Sequence, residues 1–161
     1  MKKIHIDFSF FLFNAILFMF RDIELISGFY IACILHEAGH IAAIKLTGGR
    51  IEQIGLSCFG IKMAATPPDS LRNGIIVLMS GPAVNLITGG ILFLAGNTGY
   101  TAFFSLAEGI FNLLPYSFLD GGAMLDMLAE GSRNESGIRI FYRILRSIIA
   151  ILLLMILLFN I

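Results

Sequence analysis

His36-Glu37-Ala38-Gly39-His40 interrupts an otherwise apolar run, with Ile31-Ala32-Cys33-Ile34-Leu35 before it and Ile41-Ala42-Ala43-Ile44 after it. No other feature limits the fold as much. An apolar run of about 20 residues spans a bilayer as a helix, because no other single-segment structure satisfies its backbone there. Ionisable groups inside such a helix are costly and mark function. On a helix, positions i and i+4 share a face, so two imidazoles can hold one metal ion. Glu37 follows the first histidine, where a carboxylate can reach water at that metal. This is the arrangement of a zinc hydrolase. The chain has only three histidines, so a chance match is rare. The bland alternative is a pair of buried histidines bonded to neighbouring helices.

Composition agrees with a membrane location. The chain is 57% hydrophobic and only 14% charged, and its mean hydropathy is +0.87. A soluble domain of this size would not carry so much apolar content. The formal net charge is zero, so no nucleic-acid partner is expected. Two cysteines, Cys33 and Cys58, do not make a disulfide framework. Cys33 lies three residues before His36 and could share its face, as a ligand or as a small buried residue.

The expected fold is an all-α polytopic membrane protein with about five transmembrane helices. The candidate spans are residues 4–20, 25–46, 71–95, 100–115 (continuing past Asp120 to about 130) and 138–159. The N-terminus imitates a signal peptide but lacks a small-x-small cleavage site, so an uncleaved first span is expected. A single domain, residues 1–161 with its core at about 25–130, leaves little room outside the bilayer. Residues 50–66 alone have strand character and are expected to form a short β-hairpin or loop at the cytoplasmic face. Thr66-Pro67-Pro68-Asp69 is expected to end it and cap the next helix.

With the N-terminus in the cytoplasm, only Arg21 of the eleven basic residues falls on the far side. That satisfies the positive-inside rule. Arg143 and Arg146 reach into the last span and must snorkel or pair with acids. The site then lies toward the cytoplasmic side of an integral membrane protein, with the bacterial cell membrane as the expected location.

Catalytic zinc sites usually have three protein ligands and one open position. Acids within apolar segments are few: Glu108, Asp120 and Asp126. Asp120 stands out because Gly121-Gly122 follows and permits close backbone approach. The competing role is a simple helix cap. In the five-span topology, Asp120 and the two histidines lie at similar depth on the same side. Gly81, Asn85 and Gly89 form one stripe of the third span, suited to close helix packing with an amide bonding across the contact. The role of Glu108 stays open.

Three blocks in order, His36-Glu37-Ala38-Gly39-His40, Gly81-Pro82-Ala83-Val84-Asn85 and Asn112-Leu113-Leu114-Pro115-Tyr116-Ser117-Phe118-Leu119-Asp120-Gly121-Gly122, resemble the site-2 protease family of intramembrane zinc metalloproteases. The compact layout looks most like its sporulation-type bacterial and archaeal branch, without PDZ or CBS domains. Tyr116-Ser117-Phe118 stands where the family commonly has a second proline. The resemblance implies His36, His40 and Asp120 as ligands of one zinc ion, Glu37 as catalytic base, and support near the substrate from Asn85 and Asn112. It implies cleavage of a membrane protein or short membrane peptide, in contact with the lipid bilayer and with any regulatory membrane partner unidentified. The alternatives are a catalytically inactive scaffold of the same family or a metal-binding transporter.

Overall fold

The computed structural model describes residues 3–19, 22–57, 60–65, 70–130 and 132–159. Arg21, Cys58 and the stretch 66–69, on which some expectations fell, lie outside them. The elements in chain order are β1 (Lys3–Ile6), α1 (Phe8–Met19), α2 (Ile23–Leu46), β2 (Ile51–Ser57), β3 (Gly60–Ala65), α3 (Leu71–Leu94), α4 (Tyr100–Asn112), α5 (Asp120–Ala129) and α6 (Glu135–Phe159).

Local chemistry sets the two long helices. The Asp22 carboxylate caps α2 by accepting from the Glu24 and Leu25 N–H groups, both at 3.0 Å. Glu24 in the first turn and Lys45 in the last complement the helix dipole. Past its C-cap Thr47 comes Gly48, whose φ of +79° is a conformation that favours glycine. Ser70 caps α3 by accepting from the Asn73 N–H at 3.2 Å, so the cap falls one residue beyond the expected Thr66-Pro67-Pro68-Asp69. Each of these helices has 24 residues, about 36 Å at 1.5 Å per residue. Both are long and apolar enough to cross a membrane.

The other segments correct the all-α expectation. The expected hairpin is present as β2 and β3, antiparallel with Ile54 opposite Met63. It belongs to a three-stranded sheet, because β1 lies parallel to β2 with Lys3 opposite Gln53 and Ile6 opposite Leu56. The start of the expected first span is therefore strand. The helix that follows, α1, has 12 residues, fewer than the roughly 20 that a straight crossing takes. The fourth segment is likewise divided: α4 has 13 residues, and α5 follows after a loop.

Helices α2, α3 and α4 form the centre. Most of its buried positions are small or polar, among them Ala32, Ala43, Ala102, His36, His40, Asn85 and Ser105, with Ile26, Ile44 and Pro82 the larger apolar exceptions. Large apolar side chains such as Ile34, Ile87, Ile91 and Phe103 point outward. A water-soluble core has the reverse arrangement. Small residues inside and bulky ones outside is how helices associate when the surroundings are as apolar as leucine. At the α3–α4 contact, a Cβ on Gly89 would lie 2.7 Å from the Leu106 side chain, and one on Gly109 would lie 2.8 Å from that of Leu86.

Candidate metal centre

His36 and His40 occupy successive turns of one buried face of α2. Their Nε2 atoms are 3.1 Å apart. Asp120 Oδ2 lies 3.1 Å from His36 Nε2 and 3.2 Å from His40 Nε2. Three donor atoms thus form a nearly equilateral triangle, from residues as much as 84 positions apart. Zinc–nitrogen and zinc–oxygen bonds of about 2.0–2.1 Å in tetrahedral geometry require ligand atoms about 3.3 Å apart. Two imidazoles and a carboxylate at this spacing therefore fit a zinc ion in both chemistry and size.

The surroundings orient the donors. The His40 Nδ1–H donates to the Val77 carbonyl of α3 at 2.8 Å. A carbonyl only accepts, so this bond fixes the tautomer and leaves the Nε2 lone pair for a metal. Beneath the two rings lies Gly81 of α3. A Cβ there would stand 2.8 Å from His36 Nε2 and closer still to His40 Nε2. The half-buried Glu37 lies beside the triangle, and its carboxylate interacts electrostatically with His40, His36 and Asp120.

Asp120 arrives by a fold of the chain that its two glycines permit. It is the first residue of α5, and the N-cap is Leu119, with no side-chain capping bond. Its carboxylate is turned to the histidines, so the helix-cap alternative does not describe it. A Cβ on Gly121 or Gly122 would run into the carbonyl of Leu113 or Tyr116, respectively. Only glycine lets the loop fold back over the first turn of α5 so closely. The Arg146 side chain of α6 braces this loop by donating to the Pro115 carbonyl and lying 3.5 Å from Asp126 Oδ1. The Tyr116 hydroxyl donates to the Arg146 carbonyl at 3.3 Å. Arg146 thus pairs with an acid of the neighbouring helix α5, one of the two outcomes expected for it.

Four of the six expected site residues meet here. The other two, Asn85 and Asn112, converge on Glu108. Asn85, with no exposed surface, donates from Nδ2 to Glu108 Oε2 at 3.0 Å. Asn112 donates to the Glu108 carbonyl at 3.2 Å. Cys33 neighbours Glu108 and lies outside the donor group. Gly81 and the Val77 carbonyl were not singled out for this site. For Gly81 the signal existed: it heads the Gly81, Asn85, Gly89 stripe, whose members face the histidines, Glu108 and Leu106 in turn.

Comparisons with known proteins agree with this geometry. Residues 97–156, which include Asp120, match the model of peptidase family M50. The structure is similar to the site-2 protease from Methanocaldococcus jannaschii, with a TM-score of 0.69 and 24% identity, over 96% of this chain and 80% of that one. A search of curated proteins found no match. The matched stretch spans 60 of the 161 residues, and the likeness to the solved structure is one of fold.

Proposed function

We propose that this chain is an intramembrane zinc endopeptidase, cutting a peptide bond in or near a transmembrane segment of a membrane protein or short membrane peptide. The observation that carries this reading is the donor triangle of His36, His40 and Asp120 with Glu37 beside it. These three residues would hold one zinc ion, which supplies the Lewis acidity that polarises a peptide carbonyl and makes water nucleophilic near neutral pH. Glu37 takes the proton of the attacking water on its carboxylate and returns it to the leaving amine. The Val77 carbonyl keeps His40 in the tautomer that binds. The close-packed helices around the site keep bulk water from the buried imidazoles.

A helical substrate must unwind near the cut, because its scissile carbonyl is otherwise held in the helix ladder. Strand β3 is a terminal strand of the sheet, and an extended segment could add to it. The pairing of β1 with β2 supports a topology in which the N-terminus and residues 51–65 share one side. Positive-inside counting makes that side the cytoplasm. Five crossings complete the topology. Asn97→Cys and Arg133→Cys, each in a chain with Cys33 and Cys58 replaced by serine, are expected to label from opposite sides of the membrane. Labelling from the same side overturns five crossings.

The chemical test uses purified full-length chain in detergent or vesicles. It is expected to hold about one zinc ion, lost on chelation, and Asp120→Ala is expected to lower that occupancy. Glu37→Gln is expected to keep zinc and lose cleavage of a co-expressed single-span substrate by roughly 10²–10⁴-fold. A Glu37→Gln variant that cleaves normally refutes the proposed mechanism.

A further inference from the structure

Glu108 is a carboxylate within the central helices that the mechanism above does not use. It is held with care. Asn85 Nδ2 donates to its Oε2 at 3.0 Å, and Cys33 of α2 neighbours it. Both partners adjoin the metal centre in sequence register. Cys33 precedes His36 by three residues, on the same face of α2. Asn85 follows Gly81 by four on α3, and Gly81 lies against the His36 ring. Glu108 therefore lies beside the helix faces that carry the donor triangle, and its carboxylate interacts electrostatically with His36.

His36 itself has an unmet requirement. Its Nε2 faces Asp120 and His40, while its Nδ1 is buried without a hydrogen-bond partner. Histidines that bind metals almost always donate the other ring N–H to an acceptor, commonly a carboxylate, which fixes the ring and strengthens the ligand. His40 has such an acceptor in Val77.

We propose that Glu108 is a positioning residue for His36, its carboxylate serving as the acceptor for the Nδ1–H across at most one bridging water. This rests on the zinc-binding reading above. Three donor groups then lie around Glu108: the Asn85 amide bonded to it, the neighbouring Cys33 thiol and the His36 N–H. A carboxylate has two oxygens and about four lone pairs, enough for all three. Glutamine has one oxygen and presents an NH₂ group to one of these donors. The competing acceptor is Asn85 Oδ1, also buried and unpartnered. It is neutral, and hydrogen bonds to an ionised group are roughly twice as strong.

The test is zinc affinity of the full-length chain in detergent, by competition with a chromophoric chelator, together with the visible absorption of the cobalt(II)-loaded chain. Glu108→Gln and Glu108→Ala are expected to weaken zinc binding about 10–100-fold and to shift the cobalt bands. Ser105→Ala, which alters a fully buried group one turn away on α4, is expected to leave both unchanged. Should Glu108→Ala not fold, the near-isosteric Glu108→Gln decides. Zinc affinities of the Glu108 variants within twofold of the parent overturn the inference. So does an Asn85→Ala variant that loses more affinity than the Glu108 variants, since Asn85 is then the acceptor. A parent chain that binds no zinc overturns the proposed function and this inference together, whereas a zinc-binding parent with unaffected variants overturns the inference alone.

Discussion

The central helices and the outer ones obey opposite rules. In α2, α3 and α4 the inward positions mostly hold glycine, alanine, histidine, asparagine and serine, with Ile26, Ile44 and Pro82 besides. In α1, no described residue is buried, and Phe8, Phe11, Leu12, Ile16 and Phe18 all face outward. The outer part of α6 is similar, with Ile144, Ile148, Ile151 and Leu152 exposed. In water such surfaces would drive collapse or aggregation. In lipid they gain nothing by turning inward, so packing at the centre depends on close backbone approach and on polar bonds. The smallest side chains are therefore the most sensitive positions, and the largest are the least.

Gly81 tests that contrast most severely. Alanine in place of glycine should favour a helix by about 1 kcal/mol. Here the added carbon would meet His36 Nε2 at 2.8 Å and crowd His40 as well. Displacing a positioned group by about 1 Å can cost 10²-fold in rate, so site disruption outweighs any gain in helix propensity. Gly81→Ala is expected to lose most zinc at sub-stoichiometric chelator and to cleave at least roughly 10²-fold more slowly, with helix content by circular dichroism unchanged. Gly81→Val is expected to bind no zinc. A Gly81→Ala variant with normal occupancy and turnover would show that the centre is looser than the contrast requires.

An intermediate effect is expected where centre and periphery are joined. Arg146 connects α6 to the Asp120 loop through the Pro115 carbonyl and through Asp126. Arg146→Met keeps the apolar stem and removes both bonds. Loss of hydrogen bonds to a charged group is worth about 1.5–3 kcal/mol, and the partly exposed Asp126 pair adds less. A fall of a few degrees in the thermal midpoint in detergent is expected, with zinc bound less tightly because Asp120 is less firmly held. No change in either measurement would make α6 a passive lipid-facing helix along its whole length.

What could be read in advance follows the same division. His36, Glu37 and His40 were readable because a fixed helical spacing carries the chemistry. Asp120 was readable from the two glycines that follow it and from the resemblance of its sequence block. The hairpin was readable as the one stretch lacking helical apolar length. The β1 strand was not, because Lys3–Ile6 is only four residues and its pairing is decided by β2, some fifty positions away. The bond from Asn85 to Glu108, and the brace from Arg146, were equally out of reach. Each depends on the rotation of two helices about their own axes, which periodicity constrains only to a face.

The smallest effect is expected on the outer surface of α6. Ile148 and Ile151 are exposed, and in water an isoleucine to alanine change at a core site would cost about 2–5 kcal/mol. At a lipid-facing site the removed methyl groups are replaced by acyl chains, which make similar contacts, so no cavity remains. Ile148→Ala and Ile151→Ala are expected to stay within about 0.5 kcal/mol of the parent in thermal stability and to bind zinc and cleave normally. The paired control is Ala32→Leu in α2, at a position with no exposed surface, where forcing extra methylenes into a packed contact typically costs about 1–3 kcal/mol. Measured together in vesicles, the isoleucine variants should match the parent while the alanine variant melts earlier. If the isoleucine variants lose as much as the alanine variant, that face of α6 contacts protein and not lipid, and the division between centre and periphery has been drawn in the wrong place.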